Sequence, residues 1–377
     1  MRKVPVSREI IGKKAAKSVY AQSGKYPLVH KGATIVASMV DALLRRGVQA
    51  IWIADELFPD FEPEEAIRHE TRELVRKSVA DIFHHAATQE QSRQAKETVA
   101  SGLMESVRQL VDDVVANEDV VANVGRVRAW DNYTYEHSVQ VATMSVVIGK
   151  HMLMTEDQLI RLGTGAILHD VGKITVPLEI LQKPGRLTAE EFEVVKTHAR
   201  NGWDLVHEGF QNIMPTSSIV VLQHHERLDG SGYPQGLRSD DIYIFSKITA
   251  VADVLDAVRA QRNYRENHRP SQVLRIMMND AGVRLDATSV QIALRHVALV
   301  GEGEIVRLTN GLLGMVTRLN LDAPLQPVVT VVADDQDMPV AREELDLRQG
   351  DLQIADVLDE WPAVLVQPDG STPIDMR

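Results

Sequence analysis

The first 60 residues alternate short apolar runs with turn residues. In KSVYAQSGKYPLVHKGATI the β-rich runs are split at Ser23-Gly24 and Lys31-Gly32, a hairpin-like pattern. VASMVDALLRRGVQAIWI then reads as a helix that stops near Gly47, followed by a strand. Over 62–125 the chain turns polar and helical, with Gly102 as the interruption. There Leu103, Val107, Leu110, Val111 and Val114 recur at helical spacing and make a one-sided stripe. It reads as a packing face, with a helical homodimer contact through 62–125 as the alternative. Residues 126–300 alternate helix signals with short loops. Thr155 with Gln158, and Thr188 with Glu191, fit the capping box. Pro215-Thr216-Ser217 leads into the apolar run SIVVLQHH. Ser246 opens a helix whose stripe is Ile248, Val251, Leu255 and Val258. After 301 the period shortens. EIVRLTNGLLGMVTRL reads as two strands around Asn310-Gly311, and PVVTVVADDQDMPV adds another. The expected fold is mainly α. A small α/β module (1–60), a helical linker (61–125), a helical domain (126–300), a small β module (301–365) and a tail (366–377) follow one another.

Composition narrows the class. The 377 residues are 44% hydrophobic and 25% charged, as in ordinary globular chains. No apolar run approaches the ~18 residues of a membrane span, and no signal-peptide core follows the basic N-terminus. No membrane partner is expected, and cytoplasm is the default location. The lack of cysteine excludes disulfides, zinc–cysteine sites and iron–sulfur clusters. The formal charge of 41 − 53 = −12 argues against a DNA or RNA duplex as partner. It still permits a small anionic ligand in a locally basic pocket, and acidic clusters suit divalent cations.

The middle region concentrates metal-ligand residue types: His137, His169, Asp170, His198, His224, His225, Asp253 and Asp256. Each sits within or at the end of an expected helix, so a bundle can aim them at one point. A lone histidine on an apolar helix face, such as His198 near Phe192, Val195 and Trp203, is more often a satisfied core residue. The contiguous His169-Asp170 is a stronger signal, because a buried aspartate needs a partner. His84-His85 is an internal control: this pair lies in a polar helix with no glycine-rich turn after it, and reads as solvated.

His169-Asp170 followed by Gly172-Lys173, and HHERLDGSGYP at 224–234, resemble the HD-GYP family. The likeness continues in Asp253-Val254-Leu255-Asp256-Ala257 and in the spacing of Arg262, Tyr264 and Arg265, and it covers about residues 126–300. It implies an HD-type all-helical catalytic bundle and a metal-dependent phosphodiesterase. The implied substrate is cyclic di-GMP, opened by a metal-bridging hydroxide to linear pGpG and often onward to GMP. His137, His169, Asp170 and Asp253 would surround one ion, and His198, His224, His225 and Asp170 the other. Such imidazole and carboxylate ligands favour iron or manganese, with zinc or nickel as alternatives. Lys173 and Asp170 would act in catalysis. Lys173, Tyr233, Arg262 and Arg265 would hold substrate, whereas a solvated helix end suffices for Arg259 and Arg269. Gly230 and Gly232 would permit positive φ or close approach in the turn. Tyr133 stands one helical turn before His137, where some members carry a glutamate for a third metal, so two ions are expected. The alternatives are a phosphodiesterase for 3',3'-cyclic GMP-AMP and a non-cleaving module that partners diguanylate cyclase (GGDEF) proteins.

Overall fold

The computed structural model describes residues 1–377 apart from 21–26, 47, 49, 56, 64–65, 89–91, 118–132, 184, 261–269, 359, 363 and 366–377. At the N-terminus, β1 (Arg2–Pro5) will pair with a later strand. Strands β2 (Val19–Tyr20) and β3 (Pro27–Val29) form the expected antiparallel hairpin, and helix α1 (Ala37–Arg45) follows. Strand β4 (Ala50–Ile53) lies antiparallel to β1. Alternation along β4 sends Ile51 and Ile53 into a core with Val4, Ile10, Ile35 and Leu43.

The middle of the chain is helical: α2 (His69–Thr88), α3 (Arg93–Ala116), α4 (Tyr133–His151) and α5 (Glu156–Leu168) come first. A 3-10 turn (Val171–Thr175), α6 (Leu178–Leu181), α7 (Ala189–Gly209) and α8 (Pro215–Gln223) follow. Helices α9 (Ile244–Ala260), α10 (Pro270–Asp280) and α11 (Ala287–His296) complete the bundle. Both expected capping boxes are formed, starting α5 at Thr155 and α7 at Thr188. One apolar core runs through these helices apart from α6, and α2 and α3 belong to it. Leu103, Val107, Leu110, Val111 and Val114 are each fully buried in that core. The stripe on α3 is therefore consumed within the chain, as the packing-face reading expects.

The C-terminal module is an antiparallel sheet of β5 (Ile305–Leu308), β6 (Leu313–Arg318), β7 (Val328–Ala333), β8 (Pro339–Asp346) and β9 (Ile354–Leu358). Their order is β8-β7-β6-β5-β9, and the Asn310-Gly311 turn joins β5 to β6. Strand β7 is buried on both faces. One face packs with Val306 and Val316, the other with Leu57, Phe58 and Trp361. Asp55 fixes the latter contact: its carboxylate accepts from Leu57 N, Phe58 N and, at 3.0 Å, the Trp361 indole. Among the described residues, no helix is long and apolar enough to cross a membrane.

Candidate metal centre

Five helices and one turn deliver the side chains. His137 projects from α4, and His169 is the C-terminal cap of α5 with Asp170 just beyond it. His198 lies on the buried side of α7 with Ala199 and Gly202. His224 caps α8, His225 follows it, and Asp253 and Asp256 share one side of α9. The 3-10 turn after Asp170 rests directly on α7. A Cβ on Gly172 would lie 2.0 Å from His198 O, so only glycine allows Asp170 to come this close to His198.

Three of the histidines are held in one tautomer. His169 Nδ1 donates to Ala166 O, His198 Nδ1 to Val195 O and His224 Nδ1 to Val221 O, at 2.7, 2.7 and 2.9 Å. A carbonyl only accepts, so each neutral ring carries its free lone pair on Nε2. His198 Nε2 and His224 Nε2 then face each other at 3.2 Å. Burial lowers the pKa of both rings, so no proton fills that gap, and two facing lone pairs call for a cation. His137 Nε2 and His169 Nε2 are also 3.2 Å apart, and Asp253 Oδ1 lies 3.2 Å from His137 Nε2. Asp256 Oδ2 accepts from His137 Nδ1 at 2.7 Å and so orients that ring.

Asp170 stands between the two groups. Its Oδ2 is 3.3 Å from His169 Nε2 and 3.7 Å from His137 Nε2. Its Oδ1 is 3.5 Å from His198 Nε2 and 3.9 Å from His224 Nε2. Asp170, His198, His224 and His225 form one cluster able to hold an ion, and His137, His169 and Asp253 a second. Within each, the candidate donor atoms lie within 4.8 Å of one another.

Burial would by itself raise the Asp170 pKa, but the Lys173 ammonium outweighs it and holds the carboxyl well below the usual range. Burial likewise opposes charge on Lys173, yet the Asp170 carboxylate, 2.5 Å from its Nζ, keeps the ammonium protonated. Burial also works against a charged His137. The hydrogen bonds to Asp253 and Asp256 win there, raising its pKa to about 10 in the absence of a metal. His225 is pushed down to about 3, first by burial.

The turn after the histidine pair is built on Glu226, which is buried. Its carboxylate accepts from Gln235 N at 2.7 Å and Leu237 N at 2.9 Å. Gly230 has φ +80°, and a Cβ on Gly232 would meet Arg227 N at 2.4 Å. One glycine therefore supplies the left-handed angle and the other the close approach. Tyr233 is thereby laid against His225, with ring centres 4.6 Å apart. Burial, then Asp170 and Asp253, raise its pKa, so the phenol keeps its proton.

A family model for the HD domain matches residues 121–289. A cyclic di-GMP phosphodiesterase of Pseudomonas aeruginosa is 31% identical over 291 residues, 75% of this chain and 67% of that protein. The chain belongs to the HD-GYP family. A 3'3'-cGAMP-specific phosphodiesterase of Vibrio cholerae is 32% identical over 193 residues, 51% of this chain and 37% of that protein. Among solved structures, an HDG"Y"P protein from Bdellovibrio bacteriovorus aligns with a TM-score of 0.51 at 15% identity, over 77% of this chain and 98% of that one, a likeness of fold.

All seven expected HD-GYP ligands come together, and Lys173 and Tyr233 sit beside them. Arg262, Arg265 and Arg269 lie outside the described residues, as does the side chain of Tyr133. Arg259, expected at a solvated helix end, is 9% exposed, because the last turn of α9 packs against the bundle through Val258. Two contributors were not assigned from sequence. The sequence marks Asp256 only as a ligand type, although its spacing of three from Asp253 is a usable signal. Glu226 lies within the HHERLDGSGYP motif, but no pattern of spacing reveals a turn-holding carboxylate.

Proposed function

We propose that this HD-GYP chain hydrolyses cyclic di-GMP to linear pGpG and onward to GMP, with two divalent ions as cofactors. The observation that carries the reading is Asp170, whose two oxygens face two separate histidine groups. The donor set fits: every lone pair left free by the Nδ1 hydrogen bonds converges there, and a cation relieves the contact between His198 and His224. His137, His169, Asp253 and Asp170 would hold one ion, and His198, His224, His225 and Asp170 the other. Imidazole and carboxylate donors without thiolate favour iron or manganese over zinc or nickel. When bound, two such ions supply a water-derived nucleophile at neutral pH and neutralise charge developing on a phosphoryl group.

The chain's own residues do the rest. Lys173 stays protonated against Asp170 and presents a positive charge to a substrate phosphate. Tyr233 keeps its phenolic proton and can donate it in a hydrogen bond. Asp256 holds His137 so that Nε2 points at the site. By the family pattern, Arg262 and Arg265 would bind the substrate phosphates. A guanidinium fork suits phosphate bidentately.

The Vibrio cholerae relative supports 3',3'-cyclic GMP-AMP as a second reading. One experiment tests both. Protein purified without oxygen is analysed for metal and assayed for cleavage of the two cyclic dinucleotides. About two ions per chain and faster turnover of cyclic di-GMP are expected. Metal-loaded protein that cleaves neither nucleotide would sink the reading and favour a non-cleaving partner of diguanylate cyclases.

A further inference from the structure

We propose that Phe192 and Lys196, on α7, form a guanine-binding subsite next to Tyr233, and that Lys196 selects guanine over adenine. This rests on the reading that the substrate is a purine cyclic dinucleotide. Phe192 and Lys196 are four residues apart and share a face of α7. Phe192 leaves 44% of its surface exposed, a large apolar ring kept in water at the rim of the site. Its ring centre is 6.3 Å from that of Tyr233, with the planes at 84°. Tyr233 in turn leans on His225, so aromatic surface runs unbroken from a proposed metal ligand out to Phe192.

The Lys196 ammonium sits 5.0 Å from the Phe192 ring centre and 5.8 Å from that of Tyr233. Over Phe192 alone it would be an ordinary surface cation–π pair. Here the same charge also faces the tyrosine of the catalytic turn. Glu193 Oε1, 2.6 Å from Lys196 Nζ, holds the ammonium at the rim. The Glu193 side chain is 70% exposed, so water screens that pair and the ammonium can turn to a ligand.

A purine offers such a site two features. Its π-face stacks on aromatic rings whatever the base. Its edge separates the bases: guanine presents O6 and N7, both acceptors, whereas adenine presents N7 beside an amino donor. An ammonium donates to both guanine atoms but meets a like donor on adenine. Phe192 therefore supplies affinity for any purine, and Lys196 supplies the preference for guanine.

Calorimetric titration of metal-loaded protein with GMP and with AMP reads the subsite without requiring cleavage. Lys196→Met is expected to weaken GMP binding about tenfold and leave AMP binding unchanged. Phe192→Leu should weaken both nucleotides, and Phe192→Tyr should restore them. With cyclic di-GMP, Lys196→Met should raise KM far more than it lowers kcat. All variants should keep the metal content of the wild type. Equal weakening of GMP and AMP by Lys196→Met would overturn the guanine preference. Unchanged GMP affinity in Lys196→Met and Phe192→Leu, or a wild type that binds neither nucleotide, would overturn the subsite. Cleavage is scored separately. A wild type that cleaves no cyclic dinucleotide, yet loses GMP but not AMP affinity on Lys196→Met, would sink the phosphodiesterase reading while supporting the subsite.

Discussion

The chain carries two pairs of adjacent histidines, and their fates differ. His84-His85 lies on α2, with His84 exposed, His85 half-buried and the rings 6.1 Å apart at 86°. His224-His225 lies at the end of α8, with ring centres 4.0 Å apart at 44°. His224 is fully buried, its Nδ1 spent on a backbone carbonyl and its Nε2 aimed at a histidine of another helix. Adjacency is thus no sign of a site. What counts is whether the backbone takes up one nitrogen of a ring and a different element meets the other. In the second pair the helix ends, so the two rings escape the ~100° divergence that a continuing helix would impose.

The comparison can be broken most decisively at Asp170, the residue that ties the second pair to the rest of the site. Asp170→Ala is expected to lower cleavage of cyclic di-GMP by about a thousandfold or more and to reduce bound metal, because several kcal/mol of charge stabilisation depend on it. Metal analysis alongside the assay checks this. A variant with normal metal and rate would refute the assignment. The next effect belongs to Asp256→Asn, which weakens the carboxylate hydrogen bond orienting His137. A loss of about ten- to a hundredfold in metal affinity is expected, measured by competition with a chelator.

Acid stability sharpens the contrast further. In metal-stripped protein the His225 pKa sits near 3, against about 6.5 in an unfolded chain. The unfolded state binds this proton first, so the contribution is complete above about pH 6.5 and is lost as pH falls toward 3. His225→Asn should therefore flatten the fall in stability between about pH 6.5 and 5 by up to about 1.4 kcal/mol per pH unit, read from denaturation midpoints. Replacing both His84 and His85 by Ala should leave the metal content and the activity at wild-type values. A marked loss of metal there would place a metal site at His84-His85.

Much of the molecule was legible beforehand. The capping residues Thr155 and Thr188 mark where α5 and α7 begin, since the boxes are local and need nothing from the rest of the chain. Asn310-Gly311 marks the β5–β6 turn for the same reason. The aliphatic stripe of α3 was equally visible, but periodicity says only that a face is apolar and not what covers it. Arg259 escaped because its burial depends on how the end of α9 packs, not on its neighbours in sequence.

The sequence by itself determined which side chains are present for chemistry, in what order, and on which kind of element each stands. It also determined where the backbone turns, because Gly230 and Gly232 act through their own lack of a side chain. Only the tertiary structure decided that one oxygen of Asp170 faces His137 and His169 while the other faces His198 and His224. It alone brought Asp256 to His137, a contact made across 119 positions of chain. Hydrogen bonds and metal–ligand contacts require atoms within a few ångströms of one another. Helix packing, not sequence spacing, sets distances on that scale between residues so far apart.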